Sequence, residues 1–174
     1  MEKVIFETVA GYTALCWSGS GLVLLNLPEP DRFSAEEKLR TALEGLAAKS
    51  AEEAGSAGHG FTPGRLIDEV RAYFGGEKVS LAYPVDWSFY TEFQKKVLKR
   101  VHAIPWGSVL TYGQVASDIG NASASRAVGG AAGSNRVLLV VPCHRVIAAN
   151  GKIGGFGAGV GWKERLLKNE GYYR

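Results

Sequence analysis

Val141 to Val146, VPCHRV, sets a cysteine and a histidine directly after a proline that closes an apolar run. A thiol is a nucleophile only as thiolate, and a neighbouring imidazole or a helix N-terminus shifts it that way. Cys143 is therefore the candidate nucleophile of the chain. The preceding residues 137–141, VLLVV, read as a buried strand, and Pro142 has no N–H with which to continue a ladder. The chain is expected to turn at Cys143. In a regular strand Cys143 and His144 would point to opposite faces, and a turn after proline lifts that restriction. The competing reading is an inert cysteine beside a hydrogen-bonded histidine, because free cysteine is among the most buried residue types.

The surroundings of VPCHRV weigh against an inert pair. Upstream lie IPWGSVLTYGQVA (Ile104 to Ala116) and SRAVGGAAGSN (Ser125 to Asn135); downstream come a glycine-rich loop and a helix ending in NEG, Asn169 to Gly171. Taken in this order the motifs resemble the O6-alkylguanine-DNA alkyltransferases, suicide proteins of DNA repair. The resemblance is continuous from about Phe93 to Gly171 and loose before that.

A chain of 174 residues is long enough for one domain or two small ones, and its 46% hydrophobic and 21% charged residues are those of an ordinary globular protein. No apolar run approaches the roughly 20 residues of a membrane span, and no leader pattern opens the chain, so the expected location is the cytoplasm. Cys16 and Cys143 are too few and too far apart for a disulfide framework, and a reducing compartment suits a reactive thiol. The net charge of +3 divides unevenly: residues 1–85 hold eight Lys/Arg against twelve Asp/Glu, residues 86–174 twelve against five. The basic half carries the motifs, as a phosphate-binding surface would require.

Read in order, KVIFETVA, TALCWSG and LVLLNL form an antiparallel meander, followed by a helix with Ser34 as N-cap, Glu37 as its capping-box partner, and Leu39, Leu43 and Leu46 on one face. Ala51 to Gly60 is small and polar, the expected mobile loop. Thr62-Pro63 opens a second helix, which Gly75-Gly76 stops. The connector from Leu81 to Tyr90 marks the expected boundary between an N-terminal α/β scaffold domain, 1–85, and a C-terminal domain, 86–174. The fold class is thus α+β: an antiparallel sheet with helices, then a mostly helical, winged-helix-like part with a helix-turn-helix. Thr91 caps a helix whose Phe93, Val97, Leu98 and Val101 face inward, while Lys95, Lys96, Lys99 and Arg100 face out, solvated or against phosphates.

TYGQVASDIG and the segment from Ser123 to Gly133 form the two short helices of that helix-turn-helix, the second of which normally enters a DNA groove. Its alanines and glycines leave almost no side chain able to read a base edge, and glycine costs roughly 1 kcal/mol each in a helix interior. Close approach of the backbone to DNA without sequence readout explains this composition; tight packing inside the protein is the alternative. Arg126 favours the first, since one arginine on a smooth helix can fill the space of an extruded base. Asn150-Gly151 reads as a hairpin turn, and the loop from Gly154 to Gly161 as a pocket wall. GGFGAG lacks the βαβ unit of a dinucleotide site, so no cofactor is expected.

The resemblance implies irreversible transfer of the alkyl group from O6-alkylguanine, and from O4-alkylthymine, in double-stranded DNA to Cys143 after nucleotide flipping, by a monomer. It implies that His144 is a water-linked base oriented by Glu170, that Tyr112 can protonate N3 of the flipped guanine, and that Arg126 fills the vacated stack. Ser125, Ala127 and Gly129 would line the DNA-facing surface of the recognition helix, Asn135 would brace the turn to the active site, and Val146, Phe156 and Gly157 would line the base pocket. Phe156 and Gly157 replace a common tyrosine and serine, leaving backbone N–H groups to hold O6. The N-terminal part offers only Cys16 and His59 toward a structural zinc, too few for four ligands, so no metal is expected. A cysteine hydrolase using Cys143, His144 and Glu170 would turn over, and a non-catalytic alkylated-base recognition protein would lack the cysteine.

Overall fold

The alternation of the first 25 residues makes a sheet. In the computed structural model, which describes residues 1–47 and 62–172, β1 (Glu2–Thr8), β2 (Gly11–Ser18) and β3 (Gly21–Leu25) pair antiparallel in the order β1-β2-β3. Gly11, at φ +124°, permits the first reversal, because a Cβ there would run into the Glu29 carbonyl oxygen. The chain divides into two compact units, residues 1–89 with 136–140 and residues 90–135 with 141–174.

In the first unit, helix α1 (Arg32–Ala47) lays Leu39 and Leu46, with the half-buried Leu43, on Ala14, Cys16, Val23 and Leu24 of the sheet. Its N-cap is not Ser34. The Asp31 carboxylate accepts the Ser34 N–H at 2.8 Å and the Ser34 hydroxyl at 3.0 Å, so the helix starts three residues earlier than the Ser34 capping box predicts. A carboxylate outcompetes a hydroxyl for a free helix N–H because its charge also favours the helix N-terminus. The expected loop from Ala51 to Gly60 lies outside the described residues. Helix α2 (Pro63–Phe74) begins at its proline, buries Leu66, Val70 and Tyr73, and ends at Gly75-Gly76.

The run 137–141 is not a strand, contrary to its apolar composition. It forms an isolated bridge to Leu25, whose N–H donates to Arg136 O at 2.9 Å and whose carbonyl accepts the Leu138 N–H at 3.0 Å. Leu139 then takes φ +68°, and Val140 N–H donates to Leu138 O at 2.9 Å, a γ-turn of the rare positive-φ hand. For a branched residue this backbone is strained, and the burial of Leu139, 3% exposed, holds it there.

In the second unit, α3 (Glu92–His102) carries a complete Thr91/Gln94 capping box and buries Val97, Leu98 and Val101, with Phe93 half-buried. A short parallel pair, β4 (Leu110–Thr111) with β5 (Val146–Ile147), sits beside α4 (Tyr112–Asp118), α5 (Ser125–Gly133) and α6 (Val160–Asn169). The turn at Asn150-Gly151 is present, Gly151 N–H donating to Ala148 O at 3.1 Å, but no paired strands flank it. β5 pairs with β4 instead, which leaves the residues after Ile147 free to become loop. Gly120, at φ +79°, ends α4, and the turn to α5 closes through Asn121 N–H on Ala116 O at 2.9 Å. Val128, Ala131 and Ala132 of α5 are buried, with α3 and α4 packed against the helix.

Thr111 caps α4 and so fixes the first residue of that helix, Tyr112: its hydroxyl accepts the Gln114 N–H at 3.1 Å while Gln114 Oε1 accepts the Thr111 N–H at 2.7 Å. Thr111→Ala should lower the unfolding free energy by about 1 kcal/mol in a urea titration, the usual cost of losing such a cap.

Candidate active site

The polypeptide turns at Cys143 through two successive tight bends. Pro142, at φ −81° and ψ +65°, forms an inverse γ-turn in which Cys143 N–H donates to Val141 O at 2.8 Å, and Cys143–Arg145 continue as one turn of 3₁₀ helix. Pro142 thus does what its missing N–H predicts. The Asn135 side-chain amide donates to Val141 O at 2.7 Å and to Cys143 Sγ at 3.1 Å. One side chain just past the end of α5 therefore fixes both the bend and the sulfur. Burial pushes the Cys143 thiol up from its ordinary pKa, and the Asn135 amide, the Lys163 ammonium and two backbone N–H groups pull it down.

Behind the sulfur lies a closed polar network. His144 Nε2 is 2.7 Å from Glu170 Oε1; Arg145 donates through Nε to Glu170 Oε2 at 2.7 Å and through a terminal nitrogen to Oε1 at 3.0 Å. A further guanidinium N–H reaches the Ile104 carbonyl at 2.5 Å. Burial would raise the Glu170 carboxyl, but the hydrogen bonds and charges of His144 and Arg145 hold it at about 2. Burial pulls His144 below its ordinary value although Glu170 favours its charged form. Burial thus favours the neutral imidazole, and Nε2 is the ring nitrogen that Glu170 engages.

The glycine loop is held by Tyr112 and Lys163. The Tyr112 hydroxyl donates to Gly155 O at 3.3 Å, and Lys163 donates to the same carbonyl at 3.2 Å and to Val146 O at 2.5 Å. A Cβ on Gly154, φ +74°, would stand 3.3 Å from the Tyr112 ring, and one on Gly129 of α5 would stand 3.8 Å from it. Gly154 is the one whose missing Cβ the close approach requires, since 3.8 Å at Gly129 is ordinary contact. Burial, then the neighbouring Cys143 charge, raises the Tyr112 phenol.

The family model for the 6-O-methylguanine DNA methyltransferase DNA-binding domain matches residues 92–172. A methylated-DNA–protein-cysteine methyltransferase of Shigella flexneri is 46% identical over 110 residues, 63% of this chain and 64% of its own. The match thus spans less than two thirds of that relative. Crystal structures of Mycobacterium tuberculosis proteins extend it. The O6-methylguanine methyltransferase is 33% identical, with 95% of this chain and 90% of its own covered at a TM-score of 0.71. The OGT in complex with DNA is 31% identical, with 97% and 91% covered at a TM-score of 0.72. The chain belongs to the O6-methylguanine-DNA methyltransferase family.

The methyltransferase-family chain brings Cys143, Asn135, His144, Glu170 and Tyr112 into one unit, and Val146 joins them through its carbonyl on Lys163. Ser125 opens α5, where Arg126 and Ala127 are exposed and Gly129 faces Tyr112. Phe156 is half-buried in the loop, and Gly157 is exposed. Among the described residues no group of three or more His, Cys, Asp or Glu side chains is gathered as a metal site would need, and no helix is long and apolar enough to cross a membrane. His59 lies outside the described residues.

Two residues of the site escaped the sequence reading, Arg145 and Lys163. Positions 163, 166, 167 and 170 are all buried, so the inward stripe of α6 reads Lys, Leu, Leu, Glu. A charged residue at each end of an i, i+3, i+4, i+7 stripe is the signal that marks Lys163; Arg145 carries no such signal. Because removing one partner leaves the other charge buried and unpaired, Glu170→Gln should cost about 3–5 kcal/mol in chemical denaturation. The pH dependence follows from the same pairing. With its carboxyl lowered from 4.5 to about 2, Glu170 stabilises the fold above pH 4.5, and that contribution is lost as pH falls toward 2. Stability measured across this window should decline in the parent protein and decline less in Glu170→Gln.

Proposed function

We propose that this chain repairs DNA by taking the alkyl group of O6-alkylguanine, and of O4-alkylthymine, irreversibly onto Cys143. It is a single-turnover methylated-DNA–protein-cysteine methyltransferase. The observation that carries this reading is the Asn135 amide on Cys143 Sγ at 3.1 Å, which gives a buried sulfur anion a hydrogen-bond donor. The partner is double-stranded DNA carrying the lesion, bound by a monomer in the cytoplasm. Residues 1–85 serve as scaffold; residues 86–174 bind DNA and carry out the transfer, with α4 and α5 acting as a helix-turn-helix.

The reaction is a displacement at carbon. His144, oriented by Glu170, takes the thiol proton through a water molecule; Cys143 Sγ attacks the alkyl carbon, and the bond from that carbon to O6 breaks with its electrons leaving on guanine. The Tyr112 hydroxyl supplies the proton that guanine takes up at N3. Val146, Phe156 and Gly157 line the slot for the base, and loop N–H groups hold O6. The lesion must leave the duplex to reach the sulfur, and Arg126, exposed on α5, fills the space it vacates. Ser125, Ala127 and Gly129 keep that helix smooth enough to lie against the DNA backbone. Lesion recognition without transfer is the second reading, and the presence of Cys143 disfavours it.

Two variants test this on two substrates. Cys143→Ala should lose reaction with both duplex O6-methylguanine and free O6-benzylguanine while still binding lesion DNA; turnover by this variant would overturn the reading. Arg126→Ala should be slowed on the duplex by an order of magnitude or more, taking the unstacking cost as roughly a few kcal/mol. The free base needs no flipping, so there its rate should stay near the parent value. Equal loss on both substrates, accompanied by a lower melting temperature, would instead make Arg126 a structural residue.

A further inference from the structure

Lys163 is the buried charge that the reaction above leaves without a task. Its side chain is fully buried, its ammonium donates to the Val146 and Gly155 carbonyls, and it stands 5.7 Å from the centre of the Tyr112 ring. Carbonyl oxygens are dipoles, not countercharges, and a buried ammonium without an anion is costly. Among the described residues no carboxylate forms a salt bridge with it. Glu170, the buried acid at the end of the same helix, is engaged by His144 and Arg145.

Counting charges divides the site in two. Arg145 and Glu170 neutralise each other, with a neutral His144 alongside. What remains is one thiol at the start of the turn and one ammonium, carried by α6, that is hydrogen-bonded to Val146 at the turn's end, three residues after Cys143.

Resting on the reading that Cys143 is the nucleophile, we propose that Lys163 is the charge partner of the Cys143 thiolate, a positioning residue clamped between Val146 and Gly155. His144 handles the proton, and Lys163 supplies the standing charge. Burial lowers Lys163 to about 8 while the Cys143 charge acts to raise it, and the ammonium in turn lowers the thiol. The other titratable groups around the pair are Tyr112 from α4, His144 and Arg145 from the turn and Glu170 from the end of α6. α3, which packs on the turn, brings His102 and Arg100, the latter tied to Asp118. None of them supplies an unengaged anion. Transfer turns the thiolate into a neutral thioether, so the lysine loses its partner when the protein is spent.

The test reads the pH dependence of Cys143 alkylation by iodoacetamide, followed by peptide mapping so that Cys16 does not contribute. Lys163→Gln keeps an N–H donor and removes the charge, and its midpoint should rise by about one to three pH units, the usual effect of a close opposite charge. Lys163→Arg should stay near the parent midpoint. A midpoint unmoved in Lys163→Gln would overturn the pairing. Coupling is reciprocal, which supplies a second measurement should Lys163→Gln fold poorly. In the full chain with 13C-labelled lysine, Cys143→Ser should lower the Lys163 titration midpoint by a matching amount; an unchanged midpoint would again overturn the proposal. Repair assays on Lys163→Gln keep the two claims apart. Repair intact with an unmoved thiol midpoint removes the pairing and leaves transfer standing, whereas coupling intact in a parent protein that transfers no alkyl group removes transfer and leaves the pairing.

Discussion

The amide of Asn135 is the constraint on which the site depends. By donating to Val141 O and to Cys143 Sγ it locks an inverse γ-turn and opposes the upward push that burial gives the thiol. The backbone contributes to both effects, through Cys143 N–H on Val141 O and through the N–H groups of Cys143 and His144 at the sulfur, and the Asn135 amide adds the side-chain donor that ties them together. Because Asn135 follows directly on the end of α5, one side chain joins the helix proposed to meet DNA to the atom proposed to do chemistry. An aspartate of the same shape would bring acceptors and a negative charge to the sulfur, which is why the amide matters chemically as well as sterically.

Around this brace the charges are sorted before any substrate arrives. The Glu170 carboxylate is held ionised by His144 and Arg145, and the ammonium of Lys163, proposed as the partner of the thiolate, is held by the Val146 and Gly155 carbonyls. Preorganised charge of this kind lowers a barrier without reorganisation during the reaction. The glycine loop contributes in a different way. Gly154 lets the loop backbone close on the Tyr112 ring, and the Tyr112 hydroxyl rests on Gly155 O, so the phenol is oriented.

Much of this was legible in the sequence because it depends on local chemistry. Pro142 announces the turn, the Thr91 and Pro63 signals give correct helix starts, and Gly75-Gly76 gives a correct stop. The failures have one cause in common: tertiary context overrides local pattern. The stretch 137–141 has the composition of a strand, but Leu139 is driven to φ +68° and the chain bends where pattern alone would keep it straight. Asp31 displaces Ser34 as cap because its ionised carboxylate accepts the Ser34 N–H and its charge favours the helix N-terminus. Lys163 and Arg145 read as surface residues, since burying a charge is disfavoured unless something unseen in the sequence receives it.

The central claim is that Cys143 accepts an alkyl group once and keeps it. Its most direct test is the intact mass of the protein after incubation with duplex DNA containing O6-methylguanine, with digestion to find the modified peptide. The account predicts a single methyl group per molecule, carried on the peptide containing Cys143. An unchanged mass while the lesion is bound, or repaired lesions outnumbering protein molecules, would contradict it.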